Sequence, residues 1–382
     1  GEEQGIQTAL QAIGDVRQVL AGGLPPSLEL LSAPNVAQTD GDYTVQFKLF
    51  DQGGGIGNIV YQVDGNVLDG RPVGIGIPGR DPLSRSFKLA PGEHSIEILS
   101  YDAKNQIASR AIKTVVQINQ PSLPITLHVL ALGISNYRDH ALQLKYADTD
   151  ALAMSIELAQ RGQGLFDKVA VSSPLLNEQV TLANIDAAFT DLAGKVQPQD
   201  VFVLYLAGHG KTLNGDYHFV PWDMVVKNAD SLREHSLDQN KLAALLKKIP
   251  ATKTVVLLDT CDSGSFTMAA RDTGQLTRGI EQKTGMARLM RATGRAVIAA
   301  TSDDNMALEG YGNPGDKHGV FTYALLEGLK KSDTNGNSQI EVNELADFVE
   351  TRVPEVTKQA WGYEQFPMRE TQGMNFPIGM RP

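Results

Sequence analysis

Apolar positions change their spacing along this chain, and each change predicts a different architecture. In residues 6–20 (IQTALQAIGDVRQVL), Ile6, Leu10, Ile13 and Leu20 fall near one helical face. The breakers Gly22-Gly23 and Pro25-Pro26 follow, so a short amphipathic helix is expected within residues 1–23. From about Leu28 to Ile118 short alternating runs take over, such as Tyr43-Thr44-Val45-Gln46-Phe47-Lys48-Leu49, separated by Gly, Asp and Asn clusters. That period belongs to half-buried strands. Asn58 to Val63, a turn at Asp64-Gly65-Asn66, Ser95 to Tyr101, a turn over Asp102 to Gln106, and Ile107 to Ile118 continue it.

Beyond Gln120-Pro121-Ser122-Leu123-Pro124 the texture changes again. Two close prolines remove backbone donors and favour extended chain, which marks residues 120–126 as a linker. In residues 127–382 the runs Leu127 to Ile134, Asp200 to Leu206, Thr254 to Leu258 and Ala296 to Thr301 are almost continuously apolar, as strands covered on both faces must be. Helical patterns lie between them. Ala147, Ala151, Met154 and Leu158 share a face, Leu182 to Leu192 follows, and Leu237 to Leu246 stands behind an expected Ser236/Gln239 capping box. Alternation of this kind predicts an α/β unit, a mostly parallel sheet with helices on both faces. The strand spacing of residues 24–119 predicts an all-β immunoglobulin-like sandwich, with a spacer role and a ligand-binding role both open.

Charge and cysteine content narrow the function. The 382 residues carry 34 Lys and Arg against 44 Asp and Glu, a formal net charge of -10 at pH 7. No basic footprint exists, so nucleic acid is not an expected partner. No apolar run approaches the ~18 residues of a membrane helix. The opening GEEQG lacks the basic and apolar regions of a signal peptide, which favours a cytoplasmic location, but the absent initial Met leaves room for a missing N-terminal targeting segment and the location stays open. Cys261 is the single cysteine and excludes an intramolecular disulfide.

Two apolar runs end in residues that carry chemistry. One leads into Ala207-Gly208-His209-Gly210, the other into Asp259-Thr260-Cys261-Asp262-Ser263-Gly264. In open α/β sheets ligands sit beyond the carboxyl ends of the strands. Glycine lets a backbone approach closely, and a histidine beside a cysteine makes a base and a nucleophile. The alternative for Cys261 is a packing residue, since free cysteines are commonly buried. A nucleotide-binding module is disfavoured because no G-x-G-x-x-G or P-loop follows a strand. The other histidines, His94, His128, His140, His218, His235 and His318, show no metal-ligand spacing, so no zinc site is expected.

Further motifs stand in order along residues 127–382. They are Ala131-Leu132-Gly133-Ile134 with Asn136-Tyr137, Tyr146-Ala147-Asp148-Thr149-Asp150-Ala151, Tyr217-His218-Phe219-Val220-Pro221-Trp222-Asp223, and His318-Gly319-Val320-Phe321-Thr322-Tyr323-Ala324-Leu325-Leu326. With the two strand ends, whose His and Cys are separated by the roughly 50 residues seen in caspases, this series resembles the caspase-type peptidases. The metacaspases and their prokaryotic relatives are the most similar branch.

The resemblance implies a caspase-like α/β fold and a cysteine endopeptidase that cleaves after Arg or Lys, requires no cofactor and takes protein or peptide substrates. Cys261 would attack as thiolate, with His209 as base and then as acid to the leaving amine. The N–H groups of Gly210 and Cys261 would form the oxyanion hole, and a backbone carbonyl would orient the histidine. Asp259 and Asp150 match the carboxylates that line a pocket for a basic side chain by charge-assisted bonds. A helix-start residue favoured by the macrodipole is the alternative for Asp150. One departure is Asp262, where metacaspases usually carry His; it either repels a thiolate or contacts substrate. Residues 266–295, with Arg271, Arg278, Lys283, Arg288 and Arg291, resemble the interdomain linker that caspase relatives cleave, and an ordinary solvated loop is the alternative. For the whole chain the competing reading is a catalytically inactive caspase-fold scaffold or interaction protein.

Asp333 to Glu344 matches an EF-hand loop, with Asp333, Asn335 and Asn337 at alternate positions, Gln339 offering its backbone carbonyl and Glu344 closing the loop. Ser338 stands where the turn glycine is expected. Calcium binding and a plain Asn/Gly-rich loop capping the next helix are the two readings.

Overall fold

The computed structural model describes residues 23–34, 41–68, 71–72, 80–105, 107–213, 216–225, 229–262, 296–300, 308–371 and 375–382. The helix expected over residues 6–20 and the basic segment 266–295 lie outside the described residues. The chain divides into two compact units, Gly1–Leu123 and Pro124–Pro382.

In the first unit the described strands are β1 (Leu24–Ser32), β2 (Asp42–Gln52), β3 (Ile59–Val63), β4 (Asn66–Val67), β5 (Arg71–Pro72), β6 (Leu83–Lys88), β7 (Gly92–Ser100) and β8 (Ile112–Ile118). They form two four-stranded antiparallel sheets, ordered β1-β2-β6-β5 and β4-β3-β7-β8. Alternate residues of one sheet, Tyr43, Val45, Phe47 and Leu49, share a core with Tyr61, Val63, Ile96, Ile98, Val116 and Ile118 of the other. The β3–β4 hairpin closes through Asp64 and Gly65, both at positive φ (50° and 79°), as a tight two-residue turn requires. Pro25-Pro26 lie in β1, which begins at Leu24 rather than near Leu28. That strand is an edge, where a missing N–H is tolerated. The strand expected from Ile107 begins only at Ile112, because Ile107 N–H is taken by the Asp102 carboxylate in a local turn.

The second unit opens with β9 (Thr126–Gly133), α1 (Ala147–Gly162), β10 (Lys168–Val171), β11 (Leu175–Leu176) and α2 (Leu182–Ala193). It continues through β12 (Val201–Leu213), β13 (Asp216–Phe219), α3 (Ala229–His235), β14 (Leu237–Asp238), α4 (Gln239–Lys247), β15 (Lys253–Asp262) and β16 (Ala296–Ala299). A hairpin of β17 (Glu309–Asn313) and β18 (Asp316–Gly319) leads into α5 (Val320–Lys331), β19 (Gln339–Glu341), α6 (Val342–Trp361), β20 (Met368–Glu370) and β21 (Pro377–Met380).

The central sheet runs β10-β9-β12-β15-β16-β20, parallel from β10 to β16 and antiparallel at β20. Its apolar runs are continuous because both faces are covered. Leu130, Leu132, Phe202, Leu204, Leu206, Val256 and Leu258 pack with Ile185 and Phe189 of α2 and Leu242, Leu245 and Leu246 of α4. Val129, Ala131, Val203, Tyr205, Val255 and Leu257 pack on the other side with Ala151, Met154 and Leu158 of α1 and the apolar stripes of α5 and α6. Each buried Leu or Val contributes about 1.5–3 kcal/mol relative to exposure, so this two-sided core fixes the strand register. Among the described residues no helix is long and apolar enough to cross a membrane.

The expected Ser236/Gln239 capping box is not what starts α4. Asp238 is the N-cap and accepts from Asn240 and Lys241 N–H, whereas Ser236 is drawn to the His218 ring. Pairing of Leu237 and Asp238 with β13 holds those residues extended and moves the cap two positions on.

Candidate active site

Two strands are longer than their apolar cores. The parallel pairing of β12 with β15 runs through Ala207–Asp259, Gly208–Thr260 and His209–Cys261 to Gly210–Asp262. From Gly210 onward β12 also pairs with β13, antiparallel. His209 therefore lies inside a strand, one residue before β12 takes up β13, with Cys261 as its partner across the ladder.

His209 is held at both its ring and its backbone. The Leu142 carbonyl meets its Nε2 at 2.8 Å, its backbone N–H donates to the Tyr137 hydroxyl at 2.8 Å, and the Tyr137 ring lies 5.0 Å away, tilted by 36°. Leu142 ends a 3-10 turn, His140–Leu142, capped by the Asp139 carboxylate. Asn177 anchors the start of this excursion by accepting Ser135 and Asn136 N–H, and its Nδ2 donates to Asp148. His209 is 2% exposed, and burial pulls its imidazole down to about 4 against the Leu142 bond that raises it. The resting ring is thus neutral, the form that accepts a proton.

Two glycines make room. Gly208 has φ +153°, and a β carbon there would lie 2.6 Å from the Tyr137 hydroxyl. At Gly210 it would lie 3.0 Å from Thr260 Oγ1 and 3.1 Å from the Tyr217 ring. A side chain after His209 would press on Thr260 and Tyr217.

Asp150 and Asp259 converge at the start of α5. One oxygen of each would lie 3.1 Å from a β carbon built on Gly319, the N-cap of that helix. Asp150 accepts Gly319 N–H at 2.9 Å and meets His318 Nδ1 at 2.6 Å. Asp259 accepts the Thr322 hydroxyl and, at 3.4 Å, the Tyr205 hydroxyl, while Tyr205 and Thr322 are themselves 2.5 Å apart. Complete burial, and then the nearby Asp150 charge, push Asp259 up to about 7. Burial also pushes Asp150 up, against its bonds from His318 and Gly319; the bond to Asp150 raises His318 in turn. Glu309 at the head of β17, which accepts Lys145 N–H, is raised chiefly by burial and further by Asp150. The result is a concentration of carboxylates whose negative charge costs energy until a cation offsets it.

At the EF-hand-like loop, Asp333 accepts Gly336 and Ser338 N–H, Asn335 accepts Asn337 N–H, and Asn337 accepts Gln339 N–H. Glu344 accepts from Thr334, Asn335 and Glu341 N–H. Ser338 takes φ 65°, the left-handed conformation expected of the missing glycine. Among the described residues no group of three or more His, Cys, Asp or Glu side chains stands ready to hold a metal ion.

Leu142, Tyr205 and Glu309 carry no signal of their own in the sequence. Leu142 acts through a backbone carbonyl, which no side chain reveals. Tyr137 and His318 stand in the motifs above without an evident role.

A parallel sheet covered on both faces, with a histidine and a cysteine in register near the carboxyl ends of two central strands, has the frame of a cysteine peptidase. The family model described as Caspase domain matches residues 126–376, and the chain belongs to the caspase-domain family, a family of cysteine peptidases. No curated protein matches the chain. Among solved structures, fibronectin(III)-like modules of Clostridium thermocellum CbhA are 22% identical, with 25% of this chain and 98% of that chain covered and a TM-score of 0.20. The PKD domain of an M14-like peptidase from a Thermoplasmatales archaeon is 20% identical over 25% of this chain and 97% of that chain, TM-score 0.20. A Photobacterium 2,6-sialyltransferase is 9% identical over 56% of this chain and 39% of its own, TM-score 0.18.

Proposed function

We propose that the second unit is an endopeptidase of the metacaspase and prokaryotic caspase-homologue type, with Cys261 as nucleophile, His209 as its base, and Arg or Lys preferred before the scissile bond. The observation that carries this reading is the register pairing of His209 with Cys261 while the Leu142 carbonyl holds the imidazole. A neutral His209 takes the thiol proton as sulfur bonds to the scissile carbon. The proton then passes to the departing amine, and water hydrolyses the acyl-enzyme. The N–H groups of Gly210 and Cys261, which the parallel pairing of His209 with Cys261 engages in the ladder, become the oxyanion donors on this reading only when that end of the ladder opens.

The preference for a basic residue is supported by Asp150 and Asp259, whose carboxylates converge where burial resists their charge. A guanidinium or ammonium there gains charge-assisted bonds that a neutral or acidic side chain cannot make. The basic stretch 266–295 is, on this reading, a self-processing segment. The first unit, two antiparallel sheets around one core, is read as immunoglobulin-like.

Reaction with a peptidyl electrophile carrying Arg, together with cleavage profiling of a peptide library, tests the proposal. The expected outcome is covalent labelling of the native protein, none in Cys261→Ala, and cuts after Arg and Lys. Equal peptidase activity in Cys261→Ala removes the mechanism, and absence of both labelling and cleavage returns the chain to the inactive-scaffold reading.

A further inference from the structure

The third strand neighbour of β12 stops just short of the histidine. β9 pairs with β12 as far as Gly133–Ala207, and Ile134 N–H still donates to the Ala207 carbonyl at 3.1 Å. Beyond that point the chain leaves the sheet. The next β12 donor on that side is the N–H of His209, which a continued β9 would have received. The Tyr137 hydroxyl receives it instead, at 2.8 Å, and reaches on to the Val220 carbonyl at 3.4 Å.

Val220 N–H in turn donates to the His209 carbonyl at 3.0 Å, so Tyr137 and Val220 clamp the histidine peptide from both ends. Tyr137 is fully buried and sits on the excursion that also supplies the Leu142 carbonyl; the Gln143 side chain donates to the Tyr137 carbonyl at 2.9 Å and ties the two together. Gly208 is the residue whose missing β carbon admits the hydroxyl. Burial holds that hydroxyl in its neutral form, so it both accepts and donates.

We propose that Tyr137 is a positioning residue for the general base: its hydroxyl replaces the missing strand, fixes the His209 backbone, and so keeps the imidazole between the Leu142 carbonyl and Cys261. The proposal rests on the reading of His209 and Cys261 given above. Replacing Tyr137 by Phe keeps the ring beside the imidazole and removes only the hydroxyl, leaving a buried N–H without an acceptor. His209 then samples orientations that do not serve the cysteine.

The experiment uses the full chain in native, Tyr137→Phe and His209→Ala forms. One readout is the pH dependence of Cys261 alkylation by a small neutral reagent, iodoacetamide, counted per alkylatable site. The other is kcat and KM on an Arg peptide. The expected result is an alkylation midpoint that rises by about one pH unit in Tyr137→Phe, toward that of His209→Ala, because the neutral imidazole no longer takes the thiol proton as sulfur is alkylated and the reaction waits for unaided ionisation. With it, kcat falls by about tenfold or more while KM stays within about twofold.

A merely structural role lowers the reactive fraction without moving the midpoint, and that result overturns the proposal. If His209→Ala also leaves the midpoint unchanged, the Cys/His reading itself fails, a separate outcome. Gln143→Ala, at an exposed position, guards against a misfolded Phe variant. It loosens the same excursion and is expected to shift the midpoint in the same direction by less; no shift in a folded Gln143→Ala together with an unfolded Tyr137→Phe overturns the proposal as well.

Discussion

His209 and Cys261 are partners across the parallel ladder of β12 and β15, and the ladder runs one residue further, to Gly210 and Asp262. The pair is thereby held by backbone hydrogen bonds of the sheet. On the reading proposed above the two act as one base–nucleophile unit, and units of this kind are non-additive under mutation. His209→Ala and Cys261→Ala are each expected to lower turnover on an Arg peptide by about a thousandfold or more, and the double variant to be no worse than either single one. Steady-state kinetics of the three variants check this. Additive losses contradict a shared role.

Substrate preference is expected to rest on Asp259. Losing one charge-assisted contact costs a few kcal/mol, so Asp259→Ala should lower kcat/KM on Arg peptides by roughly tenfold or more. A matched citrulline peptide, isosteric but uncharged, should lose much less. Efficient cleavage after Asp in the native protein rules out the assignment.

The same carboxyl makes stability depend on pH. Asp259 titrates at about 7 in the folded protein against an ordinary value of 3.8. Between those values the folded state keeps a proton that the unfolded state has released. Its contribution is full below about pH 4, declines as pH rises through 7, and is flat above. Asp259→Asn mimics the protonated side chain and lacks this decline. Thermal unfolding at pH 4.5 and pH 8 should show the variant gaining on the native protein by on the order of a few kcal/mol at the higher pH. A constant difference at both pH values contradicts the assignment.

Gly208 is expected to tolerate no side chain. With φ at +153° and the Tyr137 hydroxyl 2.6 Å from a β carbon, Gly208→Ala must strain the backbone or push Tyr137 off the His209 peptide. Urea unfolding should show a loss of about 1–3 kcal/mol. An unchanged midpoint means that the peptide rotates freely, which the clamp on His209 forbids.

The loop from Asp333 to Glu344 separates by calorimetry. If it takes calcium, the N–H groups now bonded to Glu344 must share its oxygens with the ion, and Glu344→Gln abolishes the heat of binding. Equal heats in native protein and variant leave the loop a capped turn.

The sequence by itself determined the layers. Continuous apolar runs marked the buried strands, the period of Ala147, Ala151, Met154 and Leu158 marked a helix lying on them, and alternation from Tyr43 to Leu49 marked a sheet with one covered face. These features are local, because burial of a strand or helix face is written in the spacing of its own residues. His209 and Cys261 were legible as neighbours at strand ends, and Asp150 and Asp259 as candidate carboxylates, since each carries chemistry in its side chain and stands in a recognisable motif. The start of β1 at Leu24 was not legible for the complementary reason: whether a proline can join a strand depends on whether a neighbour needs its N–H, and at the edge position of β1 none does. Only the tertiary structure decided that Leu142 would orient His209 and that Tyr137 would take the N–H left over where β9 ends. It alone brought His318, Thr322 and Tyr205 to the two carboxylates. Those contacts join residues far apart in the chain through backbone atoms, common hydroxyls or, at His318, a ring nitrogen, and such groups acquire a role only from the partner that folding sets beside them.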